Sequence, residues 1–93
     1  MVNKNILKIR KKLDILDNRL LDIIKKRVKL VDLVIKNKRY KKDIVDKKRI
    51  SLILKNILIK SKKRKIDPII TRKIWKEMIK AFIAYEYRNF NKK

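Results

Sequence analysis

The feature that most constrains the fold is an uninterrupted apolar pattern in the first third of the chain. Apolar residues recur there at alternating spacings of three and four, at Ile6, Ile9, Leu13, Leu16, Leu20, Ile23, Leu30 and Val34. This spacing places them on one face of an α-helix. No Pro or Gly interrupts the stretch. The sequence therefore predicts one helix of about 33 residues that runs to Lys38 and is roughly 50 Å long.

A helix of this length needs a partner in a chain of 93 residues. It cannot fold back on itself, and a second copy of the chain is the simplest partner for its apolar face. Leu21, Ile24, Val31 and Ile35 widen this face enough to contact more than one neighbour. We therefore expect a homodimer.

A second helix is predicted after a polar connection at residues 39–43. Asp43 or Asp46 can cap its first turn, because a carboxylate accepts hydrogen bonds from the free backbone N–H groups there. Its apolar face consists of Ile50, Ile53, Leu54, Ile57 and Leu58. The basic run at residues 60–65 is interpreted as a solvated break. Ser51 and Thr71, before and after this break, are expected to face solvent or to bond locally.

The third helix has the clearest start signal. Asp67 precedes Pro68, which is the typical order of an N-cap acid and a proline at the first helical position. The helix is predicted to run to about Arg88. We find no internal repeat and no convincing strand pattern, so the fold class is all-α, with three helices in a single domain over residues 1–93.

The residue types that are missing exclude several kinds of chemistry. The chain has no Gly, Cys or His. Without Gly, hairpin-rich β folds are unfavourable, and without Cys there are no disulfides or thiolate nucleophiles. Histidine, the commonest general base and metal ligand, is also missing. No signal peptide or run of about 18 apolar residues is visible, so we expect a soluble cytoplasmic protein that does not enter a membrane.

The formal net charge of +22 suggests nucleic-acid binding as one alternative. However, only eight of the 31 basic residues are Arg, and the Lys residues occur in every segment together with abundant Ile and Asn. These three amino acids have A/T-rich codons, so base composition alone can produce this charge. We expect adventitious binding at low salt but no specific nucleic-acid partner. A structural coiled coil or a membrane-surface helix is a second alternative.

Two ionisable residues interrupt the predicted apolar faces. The spacing in the first helix predicts an apolar residue where Arg27 stands, and Trp75 and Ile79 predict one where Glu86 stands. Either residue alone is well explained by a charge that reaches water from the edge of the face. Two charges of opposite sign on faces that must meet favour a paired, functional role, because an unpaired buried charge is very costly.

Helix geometry limits which cations can share a site. Arg27 and Lys38 are eleven residues apart, which places them on one face about 16 Å apart, within reach of one small anion. Arg10 lies about 25 Å from Arg27 and about 42 Å from Lys38 along the helix. It cannot join the same site within one chain, but an antiparallel second copy could deliver it.

A series of ordered motifs spans nearly the whole chain. The first is the run IRKKLDILDNRLL at residues 9–21. Further positions follow at Arg27, Val28, Val34, Lys36, Lys38, Asp46-Lys47-Lys48-Arg49, Ile53, Leu54, Ile57, and Ile74-Trp75 through Glu86. In order and spacing these motifs resemble the all-helical chorismate mutases.

The resemblance implies an intertwined helical homodimer with two equivalent sites for chorismate. Arg10 would come from the partner chain and, with Arg27 and Arg49, would bind the two carboxylates of the substrate. Lys38 would donate to the ether oxygen and to a carboxylate, and Glu86 would face the same oxygen. The family's reaction, chorismate to prephenate in phenylalanine and tyrosine biosynthesis, is a one-substrate pericyclic rearrangement. It needs no nucleophile, metal or cofactor.

Other positions refine this resemblance. Asp46 stands where the family has an Asp that contributes to the pocket. Many members have Gln in place of Glu86, and a Glu donates to the ether oxygen only when protonated, so the sequence predicts activity that falls as the pH rises.

Ile50 replaces a Glu that usually binds the ring hydroxyl, and Phe82 lies near a position often held by a small polar residue. Isochorismate-pyruvate lyases, which share the fold, resemble the chain at these last two positions and are the main alternative.

Overall fold

The computed structural model describes residues 3–91, and within this range all regular structure is helical. The helices are α1 (Lys4–Asn37), α2 (Lys47–Lys63) and α3 (Pro68–Asn89), with a short 3₁₀ helix at Lys41–Asp43. This confirms the predicted all-α class with three helices. The chain divides into two compact units, Met1–Leu33 and Val34–Lys93. The first unit contains most of α1, and the second contains the last turn of α1 together with α2 and α3.

The first helix follows the predicted apolar periodicity and ends one residue before the predicted Lys38. Its start is capped by Asn3, whose Oδ1 accepts a hydrogen bond from the backbone N–H of Ile6 at 2.9 Å. Every Ile and Leu described in the first unit is exposed, from 36% at Ile24 to 63% at Leu30. A single helix with so large an apolar surface is not stable in water without a partner.

The N-terminal caps of α2 and α3 are those predicted from the sequence. The side chain of Asp46 accepts a hydrogen bond from the backbone N–H of Arg49 at 3.0 Å, so Asp46 rather than Asp43 is the N-cap of α2. Asp67 accepts from the backbone N–H of Ile69 at 2.9 Å, and Pro68 follows at the first helical position.

The end of α2 differs from the prediction, because the helix continues through the basic run to Lys63. Lys is a good helix former, so nothing local stops the helix at Lys60. The chain reverses only at Lys65, which has a φ of 55°. The N–H of Lys65 donates to the carbonyl of Lys62 at 3.1 Å, and that of Ile66 donates to the carbonyl of Ser61 at 2.9 Å. This pair of bonds is the Schellman motif that commonly ends helices.

Helices α2 and α3 pack against each other, and a buried hydroxyl pair joins them. Ser61 Oγ and Thr71 Oγ1 are 2.8 Å apart, and the Ser61 hydroxyl donates to the carbonyl of Ile57 at 2.6 Å. Thr71 Oγ1 also lies 3.4 Å from the carbonyl of Pro68 in the first turn of α3. Each hydroxyl thus has a main-chain acceptor in its own helix, and either one can be the donor within the pair. The contact with Pro68 is the local bond expected for Thr71, and the structure adds a bond to Ser61 of α2 that was not expected. Ser51 is exposed as expected.

None of the helices described in residues 3–91 is both long enough and apolar enough to cross a bilayer.

The positive φ at Lys65 generates a stability prediction. A residue with a Cβ has a conformational free energy that is higher by roughly 1–2 kcal/mol in the left-handed region, and glycine has no such cost. We expect Lys65→Gly to raise the free energy of unfolding by about 1 kcal/mol, measured by urea denaturation. The control is Lys55→Gly at an exposed position within α2, which we expect to lower it by about 1 kcal/mol. Equal destabilisation by both variants would contradict the role assigned to Lys65.

Candidate active site

The most distinctive polar contact in the second unit joins Lys38, the residue after α1, to α3. Lys38 Nζ donates to Glu86 Oε1 at 3.0 Å, and the exposed fractions of these two side chains are 20% and 10%. Glu86 as a whole is only 8% exposed, which agrees with its predicted place on the apolar face of the third helix. The Lys38 ammonium explains how this carboxylate is tolerated there, because a buried charge needs an opposite charge and hydrogen bonds.

The Lys38 ammonium has another acceptor that sequence reasoning did not identify. Lys38 Nζ donates to the main-chain carbonyl of Ile44 at 3.1 Å, and Ile44 is 3% exposed. The only signal in the sequence was an apolar residue, Ile44, next to Val45 and directly after the polar residues 39–43. Such a residue indicates local burial, but it cannot show which donor its carbonyl meets.

This arrangement of Lys38 and Glu86 suits an oxygen atom that gains negative charge during a reaction. The ammonium is partly shielded from water, and its interaction with a developing charge is stronger there than in bulk solvent. Its position is fixed before any ligand arrives, so little reorganisation is needed. The carboxyl of Glu86 offers a further hydrogen-bonding group beside the same ammonium.

Three other predicted site residues lie near the start of α2. Asp46 is exposed and caps the helix, and this contact holds the main chain of Arg49 in the first turn. The Arg49 side chain is exposed, and Ile50 is half-buried. The structure therefore assigns Asp46 a helix-capping contact. Its predicted contribution to a substrate pocket stays a prediction.

Phe82 lies four residues before Glu86 in α3, so the two side chains project from the same face of the helix. Phe82 is half-buried. Its position makes it a candidate for an apolar wall beside the carboxyl group of Glu86.

Arg10 and Arg27 lie in the first unit, on α1. Arg10 is exposed and Arg27 is half-buried. They are seventeen positions apart, which corresponds to about 25 Å along the helix, so the two guanidinium groups of one chain do not meet on a single small ligand. The structure thus brings together Lys38 and Glu86 among the predicted residues, and it does not bring together Arg10 and Arg27.

In the part of the chain that the structure describes, no group of three or more Asp and Glu side chains is arranged to hold a metal ion.

Comparison with known families supports the resemblance drawn from the motifs. The model of a family described as chorismate mutase type II matches residues 9–87. This match begins one residue before Arg10 and ends one residue after Glu86, so it includes every predicted site residue. No curated protein and no solved structure matches the chain significantly. Because the family model covers most of the chain, this protein belongs to the chorismate mutase type II family.

Proposed function

We propose that this protein catalyses the rearrangement of chorismate to prephenate, as a cytoplasmic enzyme of phenylalanine and tyrosine biosynthesis. The observation that carries the proposal is the contact of 3.0 Å between Lys38 Nζ and Glu86 Oε1, in a chain that belongs to the chorismate mutase family. The reaction breaks one C–O bond and forms one C–C bond within a single molecule. It therefore requires fixed charges and a folded substrate rather than a nucleophile.

In the proposed mechanism, Lys38 stabilises the ether oxygen as its bond to carbon breaks. The oxygen gains negative charge in the transition state, and the ammonium donates a hydrogen bond to it. Glu86 lies 3.0 Å from the same ammonium, so an oxygen bonded to Lys38 would also lie near the Glu86 carboxyl. A protonated Glu86 would donate a second bond, whereas an ionised Glu86 would repel the growing charge. The interactions are strongest in the transition state, which is the condition for catalysis.

The arginines would hold the substrate in its reactive conformation. Chorismate carries two carboxylates, and guanidinium groups bind carboxylates through two parallel hydrogen bonds. We assign this role to Arg27 and Arg49 of one chain and Arg10 of the partner. Fixing both carboxylates would select the diaxial conformer, in which the reacting carbons are close together.

The composition of the surface favours a second copy of the chain as the source of Arg10. All the described Ile and Leu residues of the first unit are exposed, and among residues 3–91 only Ile35 and Ile44 are buried apolar residues. A second copy would cover this apolar surface. If its first helix lay antiparallel, its Arg10 could approach Arg27, which lies about 25 Å from the Arg10 of its own chain.

A lyase that converts isochorismate to salicylate and pyruvate is the second candidate function. The observations that favour it are Ile50, which is half-buried after Arg49, and the half-buried Phe82. Neither side chain can bind a ring hydroxyl group. Because both reactions are pericyclic and place charge on the same oxygen, product analysis is needed to distinguish them.

We expect purified protein to form prephenate from chorismate, and Arg27→Ala to lower kcat/KM by about 100-fold or more through loss of a charge-assisted contact. Product identification by chromatography, with chorismate and isochorismate tested separately, measures both points. Arg19→Ala, at an exposed arginine on the same helix, is the matched control and should retain activity. Salicylate and pyruvate from isochorismate, with little prephenate, would instead assign the lyase reaction.

The role of Glu86 is tested by Glu86→Gln. An amide N–H donates to an ether oxygen at any pH, so Glu86→Gln should keep a donor at this position. Glu86→Ala has no hydrogen-bonding group there, and its kcat/KM should fall roughly 100-fold below that of Glu86→Gln. Steady-state kinetics with chorismate measure both variants, and equal values would show that no donor is needed at this position.

The shared site is tested by mixing two inactive variants, Arg10→Ala and Lys38→Met. In a mixed dimer, one site receives both defects and the other receives neither. Refolding the two chains together in equal amounts should therefore restore about a quarter of the parent activity, because half of the dimers are mixed and each has one intact site.

The matched control for this experiment mixes Arg27→Ala with Lys38→Met. We place both of these residues in the site of one chain, so every site in the mixed dimer carries one defect. No activity should return. Equal recovery in both mixtures, or recovery in neither, would refute the assignment of Arg10 to the partner chain.

A further inference from the structure

The connection between α1 and α2, residues 38–46, combines an exposed surface with one deeply buried side chain. Lys41, Lys42 and Asp43 are exposed, and so are Val45 and Asp46. Between them, Ile44 is 3% exposed, the lowest fraction in residues 3–91. An apolar side chain buried in this way fixes the position of its own main chain, because moving it would expose the side chain to water.

The main chain around Ile44 is held by local hydrogen bonds as well. The N–H of Asp43 donates to the carbonyl of Tyr40 at 3.0 Å, and the N–H of Ile44 donates to the carbonyl of Lys41 at 3.2 Å. These bonds form the short 3₁₀ helix and leave the carbonyl of Ile44 directed at Lys38 Nζ, 3.1 Å away. The carbonyl is therefore presented by a segment with little freedom to move.

Contacts of the backbone and of the side chain of Lys38 complete this arrangement. The backbone N–H of Lys38 donates to the carbonyl of Val34 at 3.0 Å, which extends the hydrogen bonding of α1. Its ammonium bonds to Ile44 and Glu86. In addition, Lys41 Nζ lies 6.0 Å from the ring centroid of Tyr87, the residue after Glu86. The connection and α3 thus approach each other at a second point.

We propose that Ile44 is a positioning residue for Lys38. Its buried side chain fixes the connection, and its carbonyl oxygen then holds the ammonium in the direction needed for the ether oxygen. With the carbonyl displaced, this acceptor would no longer oppose the pull of Glu86, and the ammonium would shift away from the substrate. The catalytic consequence depends on the proposed function, whereas the placement of the ammonium can be measured without it.

The kinetic test compares Ile44→Ala with Ile44→Val and with Val45→Ala, a truncation at the exposed neighbouring position. A small displacement of a catalytic group lowers the rate more than binding, so Ile44→Ala should lower kcat roughly 10-fold to 100-fold and change KM less than about threefold. Ile44→Val removes one methyl group and should lower kcat by a smaller factor than Ile44→Ala, again with little change in KM, and Val45→Ala should match the parent. Assays are made well below the melting temperature of each variant, which is measured by circular dichroism.

A kcat that is unchanged in folded Ile44→Ala, with only the melting temperature lowered, would mean that Ile44 contributes packing alone. If Ile44→Ala does not fold, Ile44→Val becomes the decisive variant. A fall in its kcat at constant KM then supports the proposal, and a parental kcat overturns it.

The second readout is the NMR signal of the Lys38 ammonium in ¹⁵N-labelled protein, which is assigned by its absence from Lys38→Met. Hydrogen bonding to two fixed acceptors should protect this ammonium from exchange, and Ile44→Ala should weaken or remove its signal while Val45→Ala retains it. An unchanged signal in Ile44→Ala, or none in the parent protein, overturns the proposal. If the parent protein turns over neither substrate, the proposed function fails, and this signal still decides whether Ile44 positions Lys38.

Discussion

The contact between Lys38 and Glu86 is the interaction on which the rest of the second unit depends. A carboxylate that is 8% exposed on the apolar face of a helix is tolerable only with a cation beside it. Lys38, the first residue after α1, supplies this cation, and the same connection supplies a second acceptor, the carbonyl of Ile44. These contacts therefore join the connection to α3, and they place a shielded ammonium where the proposed chemistry needs one.

The chain builds its turns and its proposed site without glycine, cysteine or histidine. Where a helix must end in a left-handed residue, Lys65 takes that conformation, at a conformational cost that glycine would not incur. In the proposed mechanism, cations and one carboxyl group suffice, because a pericyclic rearrangement needs charge stabilisation and a folded substrate. The large positive charge, which base composition alone can produce, is thus also compatible with an enzyme for a dianionic substrate.

The first unit raises a separate physical problem, since its Ile and Leu side chains are exposed. The hydrophobic effect favours covering such a surface, and a second copy of the chain would do so. The same association would account for Arg10, which is too far from Arg27 along α1 to share a small ligand with it. Under this proposal, stability and substrate binding depend on the same interface.

The sequence by itself determined the features that depend on local pattern. Apolar periodicity predicted α1 almost to its last residue, Asp46 and Asp67 were recognisable caps, and the misplaced charge of Glu86 indicated a buried, paired carboxylate. Arg27 and Lys38 were identified as candidate cations in the same way, from helical spacing.

Only the tertiary structure decided where α2 ends, that Thr71 bonds to Ser61, and that the carbonyl of Ile44 holds Lys38. Two physical reasons account for this. A left-handed lysine carries no local sequence signal. Buried hydroxyl and carbonyl groups acquire their partners from segments that become neighbours only when the helices pack, and the sequence of one segment does not specify those neighbours.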